Sequence, residues 1–449
     1  VDPVDNYICP LEWRYGSKEM RALFSLSSIV RSYTSVEVAI VAGLARAGLA
    51  PKDCVDSIAK CAEELKPWEV YAGEEVLGHD IASLAYILGE KCGECGRYVH
   101  LGATSYDVID TAWALILREG IDIVKGRLRR ILSALEELAI RYRDTIMVGR
   151  THGQHALPIT LGFKLANYIY ELARSYERLC LLENRLIRSK ISGAVGTMAA
   201  WGDKGFEVER GASEYLGLEP HAISTQIAPR DGFAELVAIL AILASQLDRF
   251  ALEVRELSRT EIAEIYEASE RVGSSTMPHK RNPVISERIS GLAKVMRGLV
   301  TTALENIPLA HERDLTNSSS ERILIPHAML VIDQMLLDME TLLEILHIDP
   351  KKMRSNIELT RGAIMTESIM IRLVEKGVPR HVAHRMLIDI VRRSGDNDIK
   401  NAIMDSKDIS SLLSREEIER AMDPEKYLGS YRKLIERAIE HMRNTVEKC

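Results

Sequence analysis

From Phe233 onward the apolar residues Phe233, Leu236, Leu240, Leu243, Leu247, Phe250, Val254 and Leu257 alternate at intervals of three and four. This is the seam of a long helix packed against other long helices. No glycine or proline interrupts the chain between Gly232 and Gly273, so the pattern predicts one helix of about 40 residues, or about 60 Å. Similar runs predict helices over approximately 107–147, 159–191, 284–306 and 322–347. Five such helices imply a central bundle whose seams continue into partner subunits.

Before residue 105 the helical pattern is shorter and broken by Pro51, Pro67, Gly73, Gly78, Gly89, Gly93 and Gly96. After His347-Ile-Asp-Pro350 it shortens again, with breaks at Gly362, Gly377-Val-Pro379 and Gly395. Three helical domains are expected: an N-terminal domain over 1–105, a central long-helix bundle over 106–350 and a C-terminal domain over 351–449. Strand-like alternation is scarce, and the fold class is all-α.

Composition narrows the partners. The net charge of −7, with no basic tail, argues against a nucleic-acid surface. The N-terminal stretch carries charges and prolines where a signal peptide needs an apolar run, so a cytoplasmic protein with no membrane association is expected. Seven cysteines, at 9, 54, 61, 92, 95, 180 and 449, accompany only four glutamines. Depletion of thermolabile amides marks hyperthermophile proteins, whose intracellular members can be rich in disulfides, so both reduced thiols and disulfides stay open. Cys92-Gly-Glu-Cys95 lacks the second ligand pair that zinc requires.

Five polar clusters stand outside the helical periodicity, at helix ends or in loops, where function concentrates. They are Gly78-His79-Asp80; Val99 to Asp107 with His100, Thr104 and Ser105; Gly149 to His155; GSSTMPHKRNP at 273–283; and His311 to Arg322. Each has a structural alternative: Thr104-Ser105 before Asp107, and Ser318 to Ser320 before Glu321, read equally as helix caps. No metal-ligand spacing, nucleophile elbow, Walker loop or dinucleotide fingerprint is present, so neither metal nor cofactor is expected. Histidines, serines, a lysine, an asparagine and arginines suit proton transfer beside a carboxylate, with donors for the charge that develops on its oxygens.

GSSTMPHKRNP resembles the SSxMPxKxNP signature loop of the fumarase/aspartase superfamily. Within it, Arg14-Tyr15 to Met20, His100 to Asp107, Arg150 to Gln154 and Glu312 to Arg322 resemble, in order and over essentially the whole chain, the elements of the adenylosuccinate lyases. Gly16 departs from the usual serine. Fumarases and aspartases would not need the arginine–serine cluster at 313–322, which also argues against argininosuccinate lyase or carboxymuconate cycloisomerase. A catalytically silent structural relative is the other alternative.

The resemblance implies a homotetramer with each active site built from three subunits, and β-elimination of fumarate from an anionic nucleotide without a cofactor. It makes Ser274 the general base that takes the Cβ proton, with Lys280 and Asn282 holding the aci-carboxylate. His152 is the general acid, oriented by Glu287, and His79 positions substrate or shares the acid role. Ser275, Thr104, Ser105 and Thr151 would take the carboxylates, while Met277 and Gln226 would contact the substrate. Arg14, Tyr15, Arg313, Ser318 and Arg322, with His100 near them, would bind phosphate and ribose, where arginine forks suit phosphate oxygens.

Overall fold

The structure is a computed structural model and describes residues 7–268, 277, 279–395 and 397–449. The fold is all-α, with three two-stranded sheets among the described residues. Five long helices occupy Ser105–Arg141, Leu161–Leu186, Asp231–Leu257, Val284–Glu305 and Thr316–Ile345. All eight seam residues from Phe233 to Leu257 are buried, none more than 7% exposed, as the three–four spacing predicts.

Three expectations about element boundaries are corrected. The helix expected to run to Gly273 ends at Leu257, its last seam residue. There the Ser258 hydroxyl donates to the Arg255 carbonyl, Ala263 turns the chain with φ 49°, and Ile265–Glu267 pairs antiparallel with Leu346–Ile348. A tertiary strand pairing, not a glycine or proline, stops this helix. Likewise, the helices expected to reach 147 and to start at 159 leave room for a hairpin, Ile146–Thr151 against Gln154–Thr160. The helix expected from 322 starts at Thr316, capped by Asp314, whose carboxylate accepts the Thr316 and Ala310 N–H groups at 2.9 Å each. Ser318 to Glu321 therefore lie inside its first turns instead of capping it.

The chain folds as two compact units. One comprises Val1–Leu128, Ser175–Leu247 and Ile289–Asp338; the other comprises Arg129–Arg174, Asp248–Arg288 and Met339–Cys449. In the first, the helix Leu26–Arg46 is long and apolar enough to cross a membrane by composition alone, but 67% of its most apolar window is buried as a core element. Disulfides Cys54–Cys95 and Cys61–Cys92 join the helix Asp53–Glu63 to the segment that follows Asp80–Lys91, so both cysteines of the CxxC pair are engaged in them. In the second unit, Ile146 and Val148 of the hairpin share a core with Ile369, Leu373, Ile403 and Ile409.

Candidate active site

In the first unit the site residues gather at the N-terminus of the helix Ser105–Arg141. The Asp107 carboxylate accepts the Thr104 N–H at 2.8 Å, and the Asp107 N–H donates to the Thr104 carbonyl at 3.0 Å, a cap that fixes the turn before the helix. The turn is tight: Gly102 has φ 78°, and a Cβ there would lie 2.3 Å from Nε1 of Trp201, which donates to the Leu101 carbonyl at 2.9 Å. The capping expectation is met by the backbone, while the Ser105 hydroxyl turns to His79, 3.1 Å from its Nε2.

His79 is the N-cap of Asp80–Lys91, and its Nδ1 accepts the Ala82 N–H at 3.4 Å. In the neutral ring this places the proton on Nε2, which donates to Ser105. Asp80, next in sequence, pairs with Arg322 at 3.3 Å. Arg313 lies with its guanidinium carbon 3.9 Å from the Tyr106 ring centroid, and its Nη1 donates to Gln226 at 2.9 Å. Nε and Nη2 of Arg313 are buried without an acceptor from the described residues. Tyr106 also bonds Ser318; burial and the nearby Asp110 and Glu321 charges raise its phenol pKa against the opposing effects of Ser318 and Arg313. Thus His79, Ser105, Gln226, Arg313, Ser318 and Arg322 form one cluster.

Arg14, Tyr15 and His100 are placed by separate contacts. Arg14 stacks over Trp13, Tyr15 gives its carbonyl to Arg21, and the Gly16 and Ser17 amides bond Gln334 and Asp333. His100 spends Nδ1 on the fully buried Glu37, at 2.7 Å. Burial works against its charge, but the Glu37 hydrogen bond and charge prevail and raise its pKa.

In the second unit, Thr151 pairs with Gln154, and His152 (φ 55°) and Gly153 (φ 72°) form the two-residue turn between them. Positive φ at both centres is the hairpin turn that matches strand twist, and it presents His152 at an exposed tip. Arg150, two residues before the turn, holds Glu264 through both carboxylate oxygens, at 2.7 and 3.0 Å, and Asn356 adds a third donor at 2.8 Å. Beside it, His155 has a pKa lowered by burial and by the Arg150 charge.

Lys280 and Glu287 are exposed and Asn282 half-buried, around the start of Val284–Glu305. Glu267 holds that start, accepting the Ile285 and Ser286 amides and the Ser286 hydroxyl. Its negative charge suits a helix N-terminus. Met277 is exposed, and its carbonyl accepts the Lys280 amide. Ser274 and Ser275 lie outside the described residues. No hydrogen bond joins His152 to Glu287 among the described residues.

Sequence reasoning missed the buried charges that hold these elements: Glu37, Lys190, Arg230 and Glu264. Arg230 forks onto Asp110, at 3.0 Å for one oxygen, and reaches Glu321 at 2.9 Å, which fixes the loop that carries Gln226. One signal was available: Glu37 is the sole acidic residue of the helix Leu26–Arg46 and the sole charged one in its apolar stretch 36–45, and a lone acid there needs a partner.

Residues 13–298 match the family model described as Lyase, and residues 362–438 match the one described as Adenylosuccinate lyase C-terminus. An adenylosuccinate lyase of Pyrococcus horikoshii is 42% identical over 439 residues, covering 96% of this chain and 97% of its own. Among solved structures, a fumarate lyase from Mesorhizobium sp. BNC1 superposes with a TM-score of 0.88 at 30% identity, covering 95% of this chain and 98% of its own. A 3-carboxy-cis,cis-muconate lactonizing enzyme from Pseudomonas putida gives 0.87 at 32%, covering 96% and 98%. The fold likeness extends to both kinds of enzyme, whereas the C-terminal match and the full-length relative separate them: the chain is a lyase that belongs to the adenylosuccinate lyase family of the fumarase/aspartase superfamily.

Proposed function

We propose that the protein eliminates fumarate from adenylosuccinate, giving AMP, and from succinylaminoimidazole carboxamide ribotide, giving aminoimidazole carboxamide ribotide. The observation that carries this reading is the cluster at the start of Ser105–Arg141. It combines hydroxyl and imidazole groups suited to a dicarboxylate with two arginines and a serine suited to a phosphate. The Arg313 nitrogens that are buried without an acceptor favour an anion there, since an unpaired buried cation is costly.

In this reading Ser274 removes the Cβ proton, and Lys280, Asn282 and Ser275 hold the dianionic aci-carboxylate. The C–N bond then breaks as the electron pair returns to form the alkene. His152, oriented by Glu287, protonates the departing nitrogen, and His79 positions the succinyl end through Ser105. Thr104 and Thr151 complete the carboxylate contacts; Met277 and Gln226 touch the substrate; Arg14, Tyr15, His100, Arg313, Ser318 and Arg322 line the nucleotide end. The active site is assembled from three subunits of a homotetramer. Exposure of His152 and Glu287 on the single chain is consistent with that assembly.

The test is to follow the ultraviolet change as purified protein meets adenylosuccinate, with Ser274→Ala beside it. Turnover that disappears in a folded Ser274→Ala variant supports both the reaction and the base. Turnover of argininosuccinate or carboxymuconate instead would reassign the chemistry.

A further inference from the structure

We infer that Lys190 is a positioning residue for the carboxylate-binding turn: its buried ammonium holds Asp107 in place, and Asp107 fixes Thr104–Ser105 against the 192–194 turn. The inference rests on the reading of Thr104 and Ser105 as ligands of the succinyl carboxylates.

Lys190 and Asp107 are both sealed from solvent, with Nζ 2.6 Å from Oδ1. Asp107 is a hub with four donors. Oδ1 accepts Lys190 Nζ and the Ser192 amide (2.9 Å), and Oδ2 accepts the Thr104 amide (2.8 Å) and the Gly193 amide (3.1 Å). Only an ionised carboxylate, with two acceptor oxygens, satisfies all four. An ionised carboxylate in this interior requires a cation, and Lys190 supplies it.

The lysine is itself fixed at both ends. Its backbone N–H and C=O bond the Thr111 hydroxyl at 2.9 and 3.1 Å, and its Nζ also donates to the Gly193 carbonyl at 3.1 Å. Burial pulls its pKa down while the Asp107 charge opposes that shift. The 192–194 turn in its turn places Gln226, whose Nε2 donates to the Ala194 carbonyl at 3.1 Å. Lys190 touches none of the proposed ligands, yet Thr104 and Gln226 are each connected to it through Asp107 or the 192–194 turn.

The test compares wild type and Lys190→Met for KM and kcat with adenylosuccinate, and for product inhibition by fumarate and by AMP, with melting curves as the check on folding. We expect fumarate inhibition to weaken about tenfold, as for a lost buried hydrogen-bond partner, with AMP inhibition changed much less. Lys190→Arg, which retains the charge, should recover part of the loss. If Lys190→Met does not fold, the double variant Asp107→Asn/Lys190→Met leaves no charge unpaired. Its single amide oxygen cannot serve both the Thr104 and Ser192 amides, so the same selective loss is expected. Equal weakening of both products, or of neither, in a folded and active variant overturns the inference alone. A wild type that does not turn over adenylosuccinate overturns the functional reading and this inference with it.

Discussion

Arg150 grips Glu264 through both terminal guanidinium nitrogens, at 2.7 and 3.0 Å, two residues before the turn that carries His152. Glu264 is fully buried, so Glu264→Ala strands a cation and should destabilise the protein by about 3–5 kcal/mol. Arg150→Lys keeps the charge but loses the fork, and should cost less while still lowering kcat. Denaturant unfolding and steady-state kinetics check both; a fully stable Glu264→Ala protein would count against the pair.

The His100–Glu37 contact predicts a pH dependence. The His100 pKa is raised above its ordinary 6.5 in the folded protein. Its stabilisation is therefore fully present below about pH 6.5 and is lost as pH rises through the higher folded value. The Tm difference between wild type and His100→Gln should be larger at about pH 5.5 than at about pH 9. A constant difference across that range would refute the assignment.

The disulfides make a third prediction. Their loops span separations of 41 and 31 residues, one nested inside the other. Removing the first closure should cost about 2–4 kcal/mol, and removing the second less, because the two circuits share chain. Thermal melting with and without reductant, after thiol titration of the denatured protein, decides the matter. Coincident curves on a protein shown to be reduced would mean the crosslinks contribute nothing.

Gly102→Ala and Gly48→Ala form a controlled pair. Both glycines have positive φ, but a Cβ at 48 meets nothing within 4 Å whereas one at 102 strikes Trp201. The first should cost about 2–5 kcal/mol and the second about 1–2 kcal/mol. Only Gly102→Ala should also weaken substrate binding, through the Thr104–Ser105 turn. Denaturant midpoints and KM values test this.

The long helices were legible because their seams are local in sequence, and the eight positions from Phe233 to Leu257 are all buried. The polar clusters were legible as outliers from that periodicity, and those around Ser105 converge in space. Termination at Leu257 was not, since it depends on pairing with residues 346–348, some eighty positions away. The His152-Gly153 hairpin left a trace that helical runs on both sides concealed. Lys190 reads singly as an ordinary charged residue, and Asp107 as part of a cap; their shared meaning lies in a meeting across 83 positions.

Ser105 and Tyr106 are consecutive, and one faces His79 while the other carries Arg313 on its ring. If Ser105 takes a succinyl carboxylate and Arg313 the phosphate, as proposed, a single helical turn is the ruler between the two anionic ends of the ligand. On that reading a ligand with a longer or shorter spacer between dicarboxylate and phosphate would misalign one end whenever the other is seated, and the proposed site would sort substrates by length before any bond is broken.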